Sequence, residues 1–278
     1  MCGIWGLLQL AGKCRLSHEQ LYKLFMTIRH RGPDRSTFID NEIYQMGFHR
    51  LAIMDPSTQG DQPFAQSVFY ENELGEQMLR TIYVICNGEI YNYGKLKRQI
   101  ESKQSYIFKS HSDIEVLLPL YKDYGIQAMT SKLNGEFAFA IFDTVLNTVT
   151  KEVEYNLFLG RDRFGIRPLF YTIDGQTVAF ASEMKALIGI GEKIDQFPPR
   201  TWMHVKGSKA GELKFETKTY YEVGIIRPVR GDPLENIRDE FREAVRIRLD
   251  SDRPIGCLLS GGLDSSLVAA VAAECLRK

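Results

Sequence analysis

Paired cysteines are missing from this sequence. Its five cysteines, Cys2, Cys14, Cys86, Cys257 and Cys275, are odd in number and scattered, with no CxxC pair and no histidine at metal-ligand spacing. That excludes a disulfide framework and a zinc site and suits a reducing cytoplasm. An excess of one charge is missing too: 35 Lys and Arg balance 35 Asp and Glu, and no basic run suits a phosphate backbone, so nucleic acid is not an expected partner. The longest apolar stretches, such as Leu267 to Ala273, fall far short of the roughly twenty residues that cross a bilayer. The apolar opening Met1-Cys2-Gly3-Ile4-Trp5-Gly6-Leu7-Leu8 has no positively charged leader of the kind a secretory signal carries. With 44% hydrophobic and 25% charged residues, and Gly and Pro spread without a period, the remaining class is a globular chain with room for one large or two ordinary domains.

Between Ser17 and Arg29, Leu21, Leu24, Phe25 and Ile28 recur at helical spacing, with Ser17 and Gln20 placed for a capping box. From Phe38 to Val84 short β-rich runs alternate with turn clusters, and Tyr83-Val84-Ile85-Cys86 reads as a buried strand ending at Asn87-Gly88. A helix over 114–124 is expected to kink at Pro119. Strands return at 136–143, 155–161, 169–173 and 177–181, giving an α+β domain dominated by hairpins, and 191–221 reads as turn-rich. We expect a first domain over 1–210, a linker over 211–231 and a second, incomplete domain over 232–278. The latter opens with a helix capped by Asp232 with Pro233 behind it, then an apolar strand Ile255-Gly256-Cys257-Leu258-Leu259, a glycine loop and an Ala-rich helix. That order signals the beginning of a parallel α/β sheet.

Chemistry concentrates first at Cys2. Its small side chain favours removal of Met1, which would leave a thiol and a free amine on one residue. An α-amino group with a pKa of about 7.7–8.0 is partly unprotonated near neutrality and can take the thiol proton through a water. Taken alone, Cys2 reads more often as an incidental small hydrophobe. Its company changes that. Met1-Cys2-Gly3-Ile4, Arg29-His30-Arg31-Gly32-Pro33-Asp34, Phe48-His49-Arg50-Leu51-Ala52-Ile53-Met54-Asp55 and Cys86-Asn87-Gly88-Glu89-Ile90-Tyr91-Asn92 occur in order and at matching spacing. Together they resemble the class II glutamine amidotransferases. Ser260-Gly261-Gly262-Leu263-Asp264-Ser265-Ser266 narrows the resemblance to the glutamine-dependent asparagine synthetases.

The resemblance implies an N-terminal-nucleophile αββα sandwich in which Cys2 attacks the side-chain amide of glutamine. A tetrahedral oxyanion would then be held by the Asn87 side-chain NH₂ and the Gly88 backbone N–H. Glutamine's α-carboxylate and α-ammonium need a cation and an anion, for which Arg50, with its planar fork, and Asp113 are the candidates. Family analogy adds Leu51, Ala52, Ile53, Met54 and Glu89 to that pocket. Each has a plainer alternative: a turn for Asn87-Gly88, a surface ion pair for Arg50, a helix cap for Asp113. His49 and His111 suggest a Cys–His pair, but a terminal-amine nucleophile does not need an imidazole.

The loop at 260–266 sits between an expected strand and helix, where backbone N–H groups cradle phosphate, yet it lacks the Gly-Lys-Ser/Thr of a Walker loop. It resembles the pyrophosphatase loop of enzymes that cleave ATP to adenylate a carboxylate. On that resemblance Ser260, Gly261, Gly262 and Ser265 would hold ATP phosphates, Leu258 would lie near the nucleotide, and Asp264 would hold Mg²⁺. The implied whole reaction passes ammonia through an interior channel to an adenylated aspartate and yields asparagine, AMP and pyrophosphate. Only Cys275-Leu276-Arg277-Lys278 follow the loop helix, so we expect these 278 residues by themselves to release ammonia and make no asparagine. Expected partners are glutamine, aspartate and ATP, with a homodimer left open. Two alternatives stand beside this: another class II amidotransferase acting on a sugar phosphate or phosphoribosyl donor, and a non-catalytic glutamine-binding or interaction module.

Overall fold

The structure, a computed structural model, describes residues 1–10, 16–208, 212–224 and 231–277. Cys14 and parts of the expected linker, 211 and 225–230, lie outside the described residues. The chain divides into two units, Met1–Ala52 with Ser57–Glu222, and Ile53–Pro56 with Val223–Lys278. No helix among the described residues is long and apolar enough to cross a membrane.

In chain order the first unit runs β1 (Gly3–Gln9), α1 (His18–Met26), β2 (Arg35–Asp40), β3 (Tyr44–Arg50), β4 (Phe64–Glu71), β5 (Gln77–Ile90), α2 (Tyr93–Ser102) and α3 (Leu117–Lys132). It continues with β6 (Gly135–Asn147), β7 (Val153–Arg161), β8 (Phe170–Asp174), β9 (Thr177–Ala181), β10 (Ile194–Gln196), β11 (Thr201–Ser208) and β12 (Lys214–Thr219). The strands form two six-stranded sheets, ordered β10-β8-β9-β1-β3-β2 and β12-β11-β7-β6-β5-β4.

Strand alternation decides what each face meets. In β1, Ile4 and Leu8 enter the core between the sheets with Met46, Phe48, Ile85, Ala140 and Phe142. Trp5 and Leu7 face the opposite way and pack with Leu21 and Phe25 of α1. The second sheet repeats this: Val84, Phe139 and Ile141 pack outward against Leu96 of α2 and Leu117 and Leu120 of α3. Each such side chain contributes about 1.5–3 kcal/mol by leaving water, and the result is the expected αββα sandwich. The exposed edge strand β12 carries Lys214 and Lys218, charges that discourage further pairing.

Local signals of the first unit mostly held, with instructive exceptions. Ser17 and Gln20 form the capping box of α1. Asn87-Gly88 is not a turn: β5 runs on to Ile90 because β6 supplies partners, Ala138 for Asn87 and Phe137 for Gly88. Pro119 does not kink its helix. A 3₁₀ turn at Asp113–Val116 precedes α3, so Pro119 falls in the first helical turn, where a missing N–H is harmless, and the break comes at Gly125 with φ 73°. The stretch expected to be turn-rich carries β10, β11 and β12.

In the second unit Asp232 caps α4 (Pro233–Arg246), whose Val245 packs against Val271 and Ala272 of α5 (Leu263–Leu276). Residues 255–259 form no strand, and Leu258 is 97% exposed. An apolar run becomes a strand only with neighbours to take its N–H and C=O groups, and the described residues of this unit contain none.

Candidate active site

Three strand ends converge on one layer. Cys2 lies one step beyond the Gly3–His49 pair of β1 and β3, on the same face as Ile4, and packs against the inter-sheet core. Arg50 ends β3 on the face of Met46 and Phe48, and Asn87 lies on the face of Ile85 in β5, so the period of two turns all three toward the space between the sheets. The Cys2 thiol is bracketed by one residue: the Leu51 N–H donates to Sγ at 3.4 Å and the S–H donates to the Leu51 carbonyl at 3.6 Å. Arg31 Nε donates to the Cys2 carbonyl at 2.9 Å while its Nη1 reaches Glu183 at 3.2 Å, which fixes the start of the chain.

Asn87 is 1% exposed, and its Nδ2 has no hydrogen-bond partner among the described residues. A buried donor left unmet costs about 1–3 kcal/mol and asks for an explanation. Ladder alternation places a second donor beside it. Gln62 accepts from the Cys86 N–H at 2.6 Å and donates to its carbonyl at 3.2 Å, and Asp113 Oδ2 accepts from the Ile90 N–H at 2.7 Å. The backbone groups of 86, 88 and 90 therefore face the edge of β5 beyond the last β4 pair, Phe64 with Val84, and the Gly88 N–H lies between the two clamps. A side chain at Gly88 has no room, since a Cβ would stand 2.2 Å from the Glu136 carbonyl oxygen and 2.6 Å from Phe137 Cα.

Charge surrounds the thiol. Burial pushes Cys2 up from its ordinary pKa, against the Leu51 amide, the chain amine and Arg50, which favour thiolate; Asp113 adds to the rise. The amine in this structure is that of Met1, and burial lowers its pKa, with Arg31 and Arg167 adding to the drop. Both effects favour a neutral thiol next to a neutral amine. Arg50 is buried, not a surface ion pair: its Nη1 donates to the Ser57 carbonyl at 2.6 Å and to Asp61 Oδ1 at 2.5 Å. Arg35 shares that carboxylate at 2.8 Å, so two guanidinium groups bear on one Asp61. Asp113 is not the cap of its turn, a role Ser112 takes by accepting from the Ile114 N–H. Buried against the Ile90 amide and near Glu89, the Asp113 carboxyl is pushed up to about 7, chiefly by desolvation.

The other expected residues scatter. Ala52 N–H donates to Asp34 Oδ2 at 2.8 Å, and Glu89 lies 3.6 Å from Arg167. Ile53 and Met54 belong to the second unit, where the Ile53 carbonyl accepts from the Asp252 N–H. His49 is structural, stacked on Phe25 at 3.9 Å and hydrogen-bonded to Ser36 and the Phe25 carbonyl, while His111 is exposed. Sequence reading assigned no role to Arg31, Asp61, Gln62 or Arg167. Arg31 stood inside a quoted motif and was legible; the others act through long-range contacts that no local pattern marks.

In the second unit, Leu258, Ser260, Gly261, Gly262 and Asp264 are exposed. Gly261 has φ 83° with nothing within 4 Å of its Cβ position, Ser260 Oγ lies 2.9 Å from Ser265 Oγ, and Gly262 opens the 14-residue α5. Small residues, hydroxyls and a helix start are a donor set that suits phosphate. No group of three or more His, Cys, Asp or Glu gathers for a metal among the described residues, which leaves Asp264 as a single carboxylate at the loop.

A profile described as a glutamine amidotransferase domain matches residues 1–230. The chain belongs to the glutamine amidotransferase family. A second profile, described as asparagine synthase, matches residues 236–278 of this amidotransferase. Over its whole length it is 38% identical to asparagine synthetase [glutamine-hydrolyzing] 3 of Arabidopsis thaliana, covering 43% of that protein. Asparagine synthetase [glutamine-hydrolyzing] 1 of Bacillus subtilis is 35% identical over 99% of the chain, which covers 44% of that protein. The chain thus spans less than half the length of these curated relatives. Among solved structures, glutamine phosphoribosylpyrophosphate amidotransferase of B. subtilis superposes with a TM-score of 0.55 at 17% identity, covering 98% of this chain and 64% of that one. That likeness shows the fold.

Proposed function

We propose that the first unit hydrolyses glutamine to glutamate and ammonia with Cys2 as nucleophile. The observation that carries this is the buried, unpartnered Asn87 amide beside the Gly88 N–H. On loss of Met1 the amine belongs to Cys2 itself, and the neutral thiol gives its proton to that amine as sulfur bonds the carboxamide carbon. The carbonyl electrons move to oxygen, where Asn87 Nδ2–H and Gly88 N–H receive the charge. The ammonium returns its proton as the C–N bond breaks, ammonia leaves, and a thioester remains for water to open with the amine again as base. Arg50 meets the substrate carboxylate: Asp61 is shared with Arg35, so the pair of guanidinium groups keeps a net positive charge. Asp113 accepts from the substrate ammonium, which draws its raised pKa down.

The ammonia is used, in this reading, by a glutamine-dependent asparagine synthetase acting on aspartate and ATP; the two relatives of that name support it over a phosphoribosyl-transferring alternative. Bound ATP supplies activation of a carboxylate. Ser260, Gly261, Gly262 and Ser265 would hold its phosphates, with Asp264 on accompanying Mg²⁺ and Leu258 beside the nucleotide. Ammonia release from glutamine by the purified chain and its Cys2→Ala variant tests the first claim. We expect release from the former and none from the latter; undiminished release by Cys2→Ala overturns it.

A further inference from the structure

On the outer face of the second sheet, away from the amidotransferase centre, a cavity of about 550 Å³ opens, with α3 as one wall. That size lies within the usual range for small-molecule sites. Alternation turns Gln66, Val68 and Tyr70 of β4 and Arg80 and Ile82 of β5 to this face, and the register pairs Val68 with Arg80 and Gln66 with Ile82. Gln66 and Arg80 are therefore diagonal neighbours, about 7–8 Å apart.

The floor is an ion pair already satisfied. Asp143, 4% exposed, accepts from Arg80 Nε at 3.0 Å, from Arg80 Nη2 at 2.7 Å and from the Tyr121 hydroxyl at 2.7 Å. The third guanidinium nitrogen, Nη1, makes no hydrogen bond among the described residues. Across the diagonal, Gln66 Oε1 is buried with no hydrogen-bond partner among the described residues. A donor and an unmet acceptor thus occupy diagonal positions on one sheet face, in a cavity also lined by Val68, Ile82, Val145 and Phe158. The charges at the rim are also paired, Glu154 with Lys206 at 2.9 Å and Lys122 with Asp123 at 3.9 Å. An anion or cation gains little here, because neither sign is in excess. A flat, uncharged ring with its own acceptor next to an N–H gains most, since it buries apolar faces and relieves the orphaned oxygen.

We propose that this cavity is a second binding site, for a neutral planar heterocycle of the nucleobase type, whose acceptor takes Arg80 Nη1–H and whose N–H donates to Gln66 Oε1. Glutamine hydrolysis is not a premise of this site.

The test is titration of the purified chain with adenine and with uracil, followed by backbone amide shifts in NMR, with benzoate as an anionic ring of similar size. Gln66→Leu removes the acceptor and Val68→Trp fills the space from a partly exposed position on an edge strand. We expect saturable shifts from at least one base, centred on residues 66–70, 80–82 and 143–145, and none from benzoate. Binding should weaken by roughly tenfold or more in Gln66→Leu and vanish in Val68→Trp, with the thermal midpoint and ammonia release of both variants kept. Absence of saturable shifts from both bases up to their solubility, equal shifts from benzoate, or shifts retained in both variants would overturn the proposal.

Discussion

Replacing Asn87 by leucine should separate stability from turnover. The side chain is 1% exposed and its Nδ2 is unpartnered, so the folded chain carries a donor whose burial costs about 1–3 kcal/mol. Leucine matches the number and branching of the side-chain heavy atoms, although its methyl groups are bulkier, suits a strand better and removes that donor. The urea midpoint should hold or rise, by up to about 1–3 kcal/mol in unfolding free energy. Turnover should move the other way. If the amide meets the oxyanion, its loss lowers kcat for ammonia release by about 10²–10³-fold, or about 2.7–4 kcal/mol of barrier. KM should change little, because the substrate carbonyl carries no such charge before attack. Equilibrium urea denaturation and a coupled ammonia assay on one preparation read both quantities. Earlier unfolding by more than about 2 kcal/mol with turnover intact would refute the reasoning and make Asn87 a structural residue.

Gly88→Ala should act through sterics: a Cβ 2.2 Å from the Glu136 carbonyl oxygen forces β5 from β6, and the denaturation midpoint should fall by about 1–3 kcal/mol or more. Asp113 gives a pH signature. Its carboxyl titrates near 3.9 when unfolded but is pushed up to about 7 when folded. Across that window the folded chain holds a proton that the unfolded chain has released, so this group lowers stability as pH rises, by about 1.4 kcal/mol per unit. Asp113→Asn, which still accepts from the Ile90 amide, should lose that slope and raise KM for glutamine; an unchanged slope in denaturation series across the window counts against the assignment. In the unmutated chain KM should rise as pH falls below about 7, when the carboxylate is lost.

How much of this was legible depends on how local each cause is. The capping box of α1 involves Ser17 and Gln20, three residues apart, and could be read directly. The αββα layering was implied by motif resemblance and appears in the burial pattern, since β1, β3 and β6 bury both faces; β1 and the middle of β6 read as apolar runs, whereas β3 buries Gln45, His49 and Arg50. Asn87-Gly88 misled as a turn because its conformation is imposed by Ala138 and Phe137, some fifty residues away; Gly88 is needed for close approach and not for a left-handed φ. Pro119 misled because the 3₁₀ turn before it moved the helix start. Cys2, Arg50 and Asp113 were legible as residue types, but the clamps that aim them, Leu51, Asp61 and Ile90, follow from sheet register. The apolar run at 255–259 illustrates the converse, a strand pattern with no neighbours to make it one.

Intact-mass and peptide analysis after reaction with a glutamine-analogue alkylator tests the central claim most directly, because one spectrum reports both the processed terminus and the thiol that reacts. The account predicts a single adduct, on Cys2, in a chain that has lost Met1. An adduct on Cys86, Cys257 or Cys275 with Cys2 unlabelled, or ammonia release at full rate from protein that retains Met1, would contradict it.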